Sequence, residues 1–424
     1  MRANARNTAA TAVICGAGIA GLALAQRLGT MGWDVEVVEK APGPRPQGYM
    51  IDFFGAGYQA AEAMGVLPRL RELGYSFGGA DFVDAEGRRR ASIDYGRFAG
   101  LLGGRLLSIM RPDLELALRE HLPGNVALRY GTGVTGVEDA PNGVRVTLSD
   151  GTTREAALLV GADGIHSTVR SLVFGPEKRF LRQLGFHTAA FVFDDAEVRA
   201  AVAGRFCLTD TVGRQLGFYG LRDGRVAAFA VHRTRTGDGA PEAPLPQDAR
   251  AAVRREYGTL GWVAPRALAA CPPPSQVYYD QVAQTVLPRW SHGRTVLLGD
   301  ACYAVSLLAG QGASLGVGGA YVLADQLAAA ARERGVGVEE AVGRYERLWR
   351  PVVEEKQQVA RRGTRWFLPE SGARLRARRA AMRMARLPGV DRLVAGAVVG
   401  KPTELREIRS ASDEFRTSAR SIST

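Results

Sequence analysis

Three clusters in this 424-residue chain carry residue types and spacings fit for chemistry, and a hydrolase serine motif is not among them. In the first, Gly16-x-Gly18-x-x-Gly21, the glycines permit a tight turn and a close backbone approach to a pyrophosphate. The amide end of the following helix, opened by Ile19 and Ala20, would hold that anion. Glu39 stands 18 residues after Gly21 at the end of an apolar run, with Lys40 beside it. A carboxylate there accepts hydrogen bonds from the ribose diol of an adenosine and repels a 2′-phosphate, so the turn suits FAD or NAD better than NADP. The second cluster is Asp163-Gly164 within Leu158-Leu159-Val160-Gly161-Ala162-Asp163-Gly164-Ile165-His166-Ser167-Thr168-Val169-Arg170. The third is Gly299-Asp300-Ala301, after an apolar run, followed by Gly310-Gln311-Gly312-Ala313.

These residues need elements to hold them. Ala12 to Cys15 reads as a short strand, Leu22 to Leu28 as a helix closing at Gly29 to Gly32, and Val35 to Val38 as a second strand. Arg111-Pro112-Asp113 opens a helix over Met110 to Leu118, with proline in its first turn. Val126 to Tyr130, Val134 to Glu138, Val144 to Leu148, Leu158 to Val160 and Thr295 to Leu298 read as strands. Between about residues 178 and 285, alternating aromatic-rich runs such as Phe186 to Phe193 and Gln215 to Leu221 predict an antiparallel sheet. Asp223-Gly224 predicts a hairpin turn, since both positions tolerate positive φ. Pairing across it puts Gln215, Gly217, Tyr219, Ala228, Ala230 and His232 on one face, small and polar as a ligand cavity requires. Leu216, Phe218, Phe229 and Val231 then form the core face.

Together, the three motifs resemble those of the group A flavoprotein monooxygenases, the p-hydroxybenzoate hydroxylase-like family, in order and approximate spacing from residue 12 to about 330. The likeness is closest to tetracycline-modifying and polyketide-tailoring members. It implies a single-component enzyme that hydroxylates a polycyclic aromatic or polyketide-like small molecule, in secondary metabolism or antibiotic modification. NAD(P)H would reduce FAD, O2 would form a flavin C4a-hydroperoxide, and its distal oxygen would attack an electron-rich substrate. That chemistry belongs to the cofactor, so no catalytic protein residue is assigned.

The resemblance also implies roles for single residues. Arg45 would lie near the flavin and the nicotinamide, Asp52 and Arg111 would contact FAD, and Asp163 would bridge FAD and the nicotinamide path. Asp300 would bond the ribityl hydroxyls. Gly310, Gln311, Gly312 and Ala313 would open a helix whose free N–H groups face the flavin N1–C2=O edge. A helix N-terminus favours the anion of reduced flavin by roughly 0.3–1 kcal/mol. His187, Arg205, Tyr219 and His232 lie in the sheet expected to roof the flavin, and are the substrate candidates. The chain also departs from the family pattern. Cys302-Tyr303 replaces the usual Ala-His, Leu307 a proline, and Gly319 an acid. These changes keep open a reductase or dehydrogenase on the same fold, and a non-catalytic flavin-binding partner.

Length and element order predict an α/β chain with a discontinuous Rossmann-like FAD-binding domain, residues 1–75, 101–177 and 286–335. An antiparallel β-sheet substrate domain, 76–100 and 178–285, is interleaved with it; C-terminal helices over 336–400 and a flexible tail at 401–424 follow. A net charge of +12 raises nucleic acid as a partner. The arginines are scattered, however, and no zinc finger or aromatic-basic motif accompanies them, so a small aromatic substrate is expected instead. Cys15, Cys207, Cys271 and Cys302 have neither CxxC nor metal spacing, which predicts free buried thiols, no metal and a cytoplasmic location. The glycine-rich stretch Thr295 to Ala324, interrupted by Asp300 and Gln311, reads as a cofactor motif rather than a membrane span. Arginines 374, 376, 378, 379, 383 and 386 predict a solvated or subunit-facing basic helix on a monomer or homodimer, with contact to an anionic membrane surface as the lesser alternative.

Overall fold

The computed structural model describes residues 10–45, 47–234, 244–306, 310–384, 404, 405, 407 and 408. A parallel sheet is assembled from strands far apart in the chain, in the order Thr295–Leu297, Leu158–Gly161, Thr11–Cys15, Asp34–Glu39, Val126–Tyr130. Ser291–His292 pairs antiparallel at its edge. Ile14, Val37, Leu159 and Val296 are fully buried, as strands covered on both faces require. The helix Ile19–Thr30 packs against Gly312–Arg332. Gly16, Ala162 and Gly299 follow the carboxyl ends of three adjacent strands, so the three motifs converge on one sheet edge, where open α/β sheets bind ligands.

A second sheet of seven strands runs Tyr278–Thr285, Leu181–Phe193, Val226–Arg233, Arg214–Gly220, Phe206–Thr209, Gly79–Val83, Arg89–Asp94. It is antiparallel except where Phe206–Thr209 lies parallel to Gly79–Val83. Met50–Phe54 pairs with Leu106–Met110 in a separate ribbon.

The Arg214–Gly220 hairpin is registered one residue away from the expectation. Gln215 faces Val231, Gly217 faces Phe229 and Tyr219 faces Ala227. Its loop holds three residues, Arg222-Asp223-Gly224: the Leu221 N–H donates to the Arg225 carbonyl, and Gly224 has φ 87°. A three-residue turn ending in a left-handed glycine shifts the pairing relative to a two-residue turn. A one-residue slip then carries a whole strand's side chains to the other face. His232 accordingly sits among Leu216, Phe218, Ala228 and Ala230 on the face covered by the helices Ala249–Tyr257 and Ala264–Ala269. His187, its cross-strand partner, lies there too.

The basic helix Gly372–Met384 is docked in part rather than wholly solvated. Arg378 and Arg379 both bond the buried carboxylate of Asp210, Arg378 at 2.7 Å, and the Arg378 guanidinium lies 5.0 Å over the Phe82 ring. Arg374 pairs with Glu370 at the surface, and Arg386 lies outside the described residues, as does most of 401–424. All four cysteines are buried and unpaired. No described helix is long and apolar enough to cross a membrane.

Two outcomes follow. Burial lowers His187 and holds His232 down to about 4, against an unfolded value of roughly 6.5. The unfolded chain therefore takes up protons first as the pH falls, so this stability is complete above pH ~6.5 and lost toward pH ~4. Thermal unfolding midpoints should drop across that window and drop less in His232→Gln; equal slopes for the two proteins would refute the assignment. Asp210→Ala strands two guanidinium groups, one of them buried, and should cost about 3 kcal/mol in urea unfolding. It should also speed proteolytic cleavage within Gly372–Met384, whereas unchanged cleavage would mean that the pair does not hold this helix.

Candidate active site

A cavity of about 310 Å³ lies between the carboxyl edge of the parallel sheet and one face of the seven-stranded sheet. Gly18, Ile19 and Ala20 line one end. Gly16 and Gly21 stand behind them, and packing demands both. Gly16 has φ 111°, and a Cβ there would fall 2.4 Å from the Ala162 carbonyl oxygen. At Gly21 a Cβ would fall 2.0 Å from the Gly16 carbonyl oxygen. Gly18 instead has open space, with the Arg111 guanidinium 3.9 Å and Glu115 Oε1 3.7 Å from where a Cβ would stand. Arg111 and Glu115 pair at 2.7 Å, one turn apart on the helix Arg111–Glu120. An uncapped helix N-terminus with a guanidinium facing it is the donor set that a pyrophosphate requires, so the residues present fit a dinucleotide.

Glu39 is buried at the same turn, Oε2 accepting from Ala17 N–H at 3.1 Å and Oε1 from Ala41 N–H at 2.9 Å. Arg45 reaches Glu39 at 3.6 Å from an exposed position, and Lys40 is exposed; neither lines the cavity. Asp163 does not line it either. Its carboxylate accepts from Ser167 Oγ, Thr168 N–H at 2.6 Å and Val169 N–H at 3.2 Å, capping the helix Thr168–Val173, while its neighbour Gly164 lines the cavity. These bonds hold Asp163 at the start of that helix, one residue from the cavity wall.

Asp300, Gly310, Gly312 and Ala313 line the cavity next to Gly18, and the helix Gly312–Arg332 begins there. Gln311 is that helix's N-cap, buried beside the cavity but not lining it. Burial pushes the Asp300 carboxyl up, opposed by Arg111 and reinforced by Asp280. Asp52 also lines the cavity; burial raises its carboxyl against hydrogen bonds from Ser108 Oγ at 2.7 Å and Tyr95 at 3.1 Å.

The far end is walled by aromatic rings. Tyr219 is buried there, its hydroxyl accepting from Met50 N–H at 2.8 Å and its ring edge-on to Phe206 at 5.3 Å and Phe77 at 6.1 Å. Of the four substrate candidates, Tyr219 alone reaches the cavity. His187 and His232 occupy the opposite sheet face. Arg205 is turned onto Asp81 at 2.8 Å and Ser92 at 3.0 Å, while Phe206 beside it points inward. Phe229, expected on the core face, lines the cavity instead, because the register shift carries it to the side of Tyr219; Tyr49, Phe77, Phe206, Tyr278 and Asp280 also line it and were not singled out in the sequence. Tyr278-Tyr279 heading an alternating strand is a signal that could have exposed Tyr278; the others depend on register and domain packing.

The departures at 303 and 319 prove to be one packing event. Tyr303 is buried against Trp290, ring centroids 5.0 Å apart, with its hydroxyl 3.2 Å from that of Tyr345. A Cβ at Gly319 would fall 2.2 Å from the Tyr303 hydroxyl and 2.8 Å from Trp349 Nε1. Neither Tyr303 nor Gly319 lines the cavity, and Leu307 lies outside the described residues.

The FAD binding domain family matches residues 9–360. The chain belongs to the group A flavoprotein monooxygenases. An uncharacterised protein of Mycobacterium tuberculosis is 34% identical over 335 residues, 77% of this chain and 87% of that one. The FAD-dependent monooxygenase asL6 of Sarocladium schorii is 30% identical over 388 residues, covering 85% and 89%. The crystal structure of tetracycline destructase Tet(55) superposes with a TM-score of 0.76 at 24% identity, covering 94% of this chain and 98% of that one.

Gly319→Ala in this monooxygenase should cost ~1–3 kcal/mol by overpacking. Adding Tyr303→Phe should return part of that loss in urea unfolding, with bound FAD unchanged. Additive losses from the two substitutions would show the positions to be independent.

Proposed function

We propose that this enzyme uses NAD(P)H and O2 to hydroxylate a polycyclic aromatic or polyketide-like molecule, in secondary metabolism or antibiotic modification. The observation that carries the reading is the continuity of the cavity. One space touches Gly18 and Asp300 at its cofactor end and Phe77, Phe206 and Tyr219 at its aromatic end. FAD, when bound, supplies the electron transfer and oxygen activation. The turn Gly16–Gly21 and the amide end of Ile19–Thr30 hold the pyrophosphate, with Arg111 as counter-charge. Glu39 takes the ribose diol and Asp300 the ribityl hydroxyls. The N-terminus of Gly312–Arg332 favours negative charge on the ring system that lies against it.

The aromatic walls favour a flat, electron-rich ring by edge and face contacts. Among the described lining residues Arg111 is the one basic side chain, and it stands beside Gly18 at the pyrophosphate end. The cavity therefore suits a phenol or enol better than an aromatic carboxylate, because a buried anion without a counter-charge is strongly disfavoured. The departures at Tyr303 and Gly319 face away from the cavity, so they lend no support to a reductase without oxygen insertion.

The test follows NADPH and oxygen consumption by the FAD-loaded protein against a panel of polycyclic phenols, with mass spectrometry of the products. Coupled uptake and a product heavier by one oxygen atom are expected. NADPH oxidation with no oxygen in any organic product would replace this reading with the reductase.

A further inference from the structure

The chain from Gly299 to Gly312 supplies Asp300, Ala304, Val305, Ser306 and Gly310 to the cavity wall, yet it contains no proline to stiffen it. Two glutamines from other elements hold it from behind. Gln284, on the strand Tyr278–Thr285, and Gln357, on the helix Val338–Phe367, are both buried, and neither lines the cavity. The Gln357 side-chain amide donates to the carbonyls of Ala304 at 3.0 Å and Thr285 at 2.9 Å. That of Gln284 donates to the carbonyls of Val305 at 2.6 Å and Gln357 at 2.9 Å. Thr285 N–H adds a second bond to the Ala304 carbonyl at 3.1 Å. Each amide thus spends both its N–H groups on backbone oxygens, which fixes which way round it sits. Arg361 secures the Gln284 oxygen at 2.8 Å.

Turning a carbonyl one way turns the N–H of the same trans peptide the other way. The Ala304 carbonyl faces Gln357 and Thr285, which stand outside the cavity, so the Val305 N–H is directed at the cavity itself. Val305 is buried, and its N–H has no acceptor among the described residues. Buried backbone donors are almost always paired, with protein, water or ligand. The strand and helix that carry the two glutamines add Val282, Ala283 and Phe367 to the wall, apolar side chains that offer this donor no competing acceptor.

We propose that the Val305 N–H, aimed by Gln284 and Gln357, is a binding subsite for a neutral keto or phenol oxygen on a planar ring held in the cavity. A lone N–H with no cation beside it suits a neutral oxygen rather than a carboxylate. The aromatic walls fix the plane of such a ring by edge and face contacts, and the N–H fixes its rotation within that plane. Gln284 and Gln357 are positioning residues, acting on the ligand only through the two peptides they hold. The oxygen belongs to the aromatic substrate or to a flavin carbonyl, which present the same acceptor.

This inference deepens the reading of the cavity as an aromatic site and rests on it. Its test uses the oxidised, FAD-loaded enzyme without nicotinamide, so failure of hydroxylation is read in the oxygen assay and failure of the subsite here. The probes are fluorenone, a neutral planar ketone, and fluorene, the same shape without the oxygen. Carbon-13 in the fluorenone carbonyl, and separately in the two flavin carbonyls, identifies each band in difference infrared spectra. Val305→Pro deletes the donor, and Ala304, with ψ 126°, already has the backbone that a residue before proline adopts. Gln284→Leu and Gln357→Leu remove the clamp and keep the donor. All three substitutions should raise the stretching frequency of one labelled carbonyl, since a hydrogen bond lowers it. If that carbonyl is fluorenone's, Val305→Pro should weaken fluorenone roughly three- to tenfold and leave fluorene unchanged, which assigns the donor to the substrate. If it is a flavin carbonyl, FAD should weaken by a similar factor, which assigns the donor to the cofactor. The subsite is overturned if no labelled band moves in Val305→Pro, or if fluorene weakens as much as fluorenone while the flavin bands stay in place. Should Val305→Pro fail to fold, unmoved bands in both glutamine variants overturn it. Bands that move in Val305→Pro but in neither glutamine variant overturn the positioning role.

Discussion

The backbone of Gly16 passes so close to Ala162 that no side chain fits between them, and the rest of the site is arranged around that crossing. It joins the ends of two adjacent parallel strands, Thr11–Cys15 and Leu158–Gly161. Thr295–Leu297 lies on the far side of Leu158–Gly161 and delivers Asp300 to the same edge. The helix Ile19–Thr30 starts three residues beyond the crossing, and Ala20 lies against Gly299 and Gly316. Small residues at these contacts let two helix starts, from Ile19 and from Gly312, open on one cavity. Two positive helix ends and the Arg111 guanidinium then face a space that also holds the carboxylates of Asp52 and Asp300. That balance suits a ligand with anionic and hydroxyl-rich parts.

The seven-stranded sheet contributes a different constraint, which is two-sidedness. One face packs on Ala249–Tyr257 and Ala264–Ala269, and the other closes the cavity with aromatic rings. Alternation makes the division strict, so Arg205 and Phe206, adjacent in sequence, part company, one toward Asp81 and the other toward the cavity. Charges excluded from the cavity are paired locally, as in Arg205–Asp81 and the two arginines on Asp210. Arginines such as 205, 378 and 379 are thereby structural.

The departures from the family pattern carry a related lesson. Tyr303 and Gly319 look like two independent losses when compared with a motif, yet in space the tyrosine hydroxyl fills the volume that a side chain at 319 would need. Substitution at one position is explained by volume at the other, and the wall facing the ligand is left alone.

The sequence by itself determined the parts of this protein that are local. Glycine spacing, strand-end acids and the proline-opened helix are short-range requirements of backbone geometry, and the strands and helices predicted from them occur with ends shifted by a few residues. Gly18, Asp300 and Gly312 were legible for that reason, and Asp52 and Arg111 through the family resemblance; all five line the cavity. Tertiary structure alone decided what depends on counting or on packing. A three-residue turn in place of a two-residue one sent His232 to the core side and kept Tyr219 on the cavity side. Asp163 turned inward to cap its own helix, and Arg45 stayed outside with Glu39. His166, Asp280 and Glu177 are brought together by the folding of the sheet over the turn at Gly164. Side-chain direction in a sheet reverses at every residue, so no local pattern specifies which groups finally share a wall.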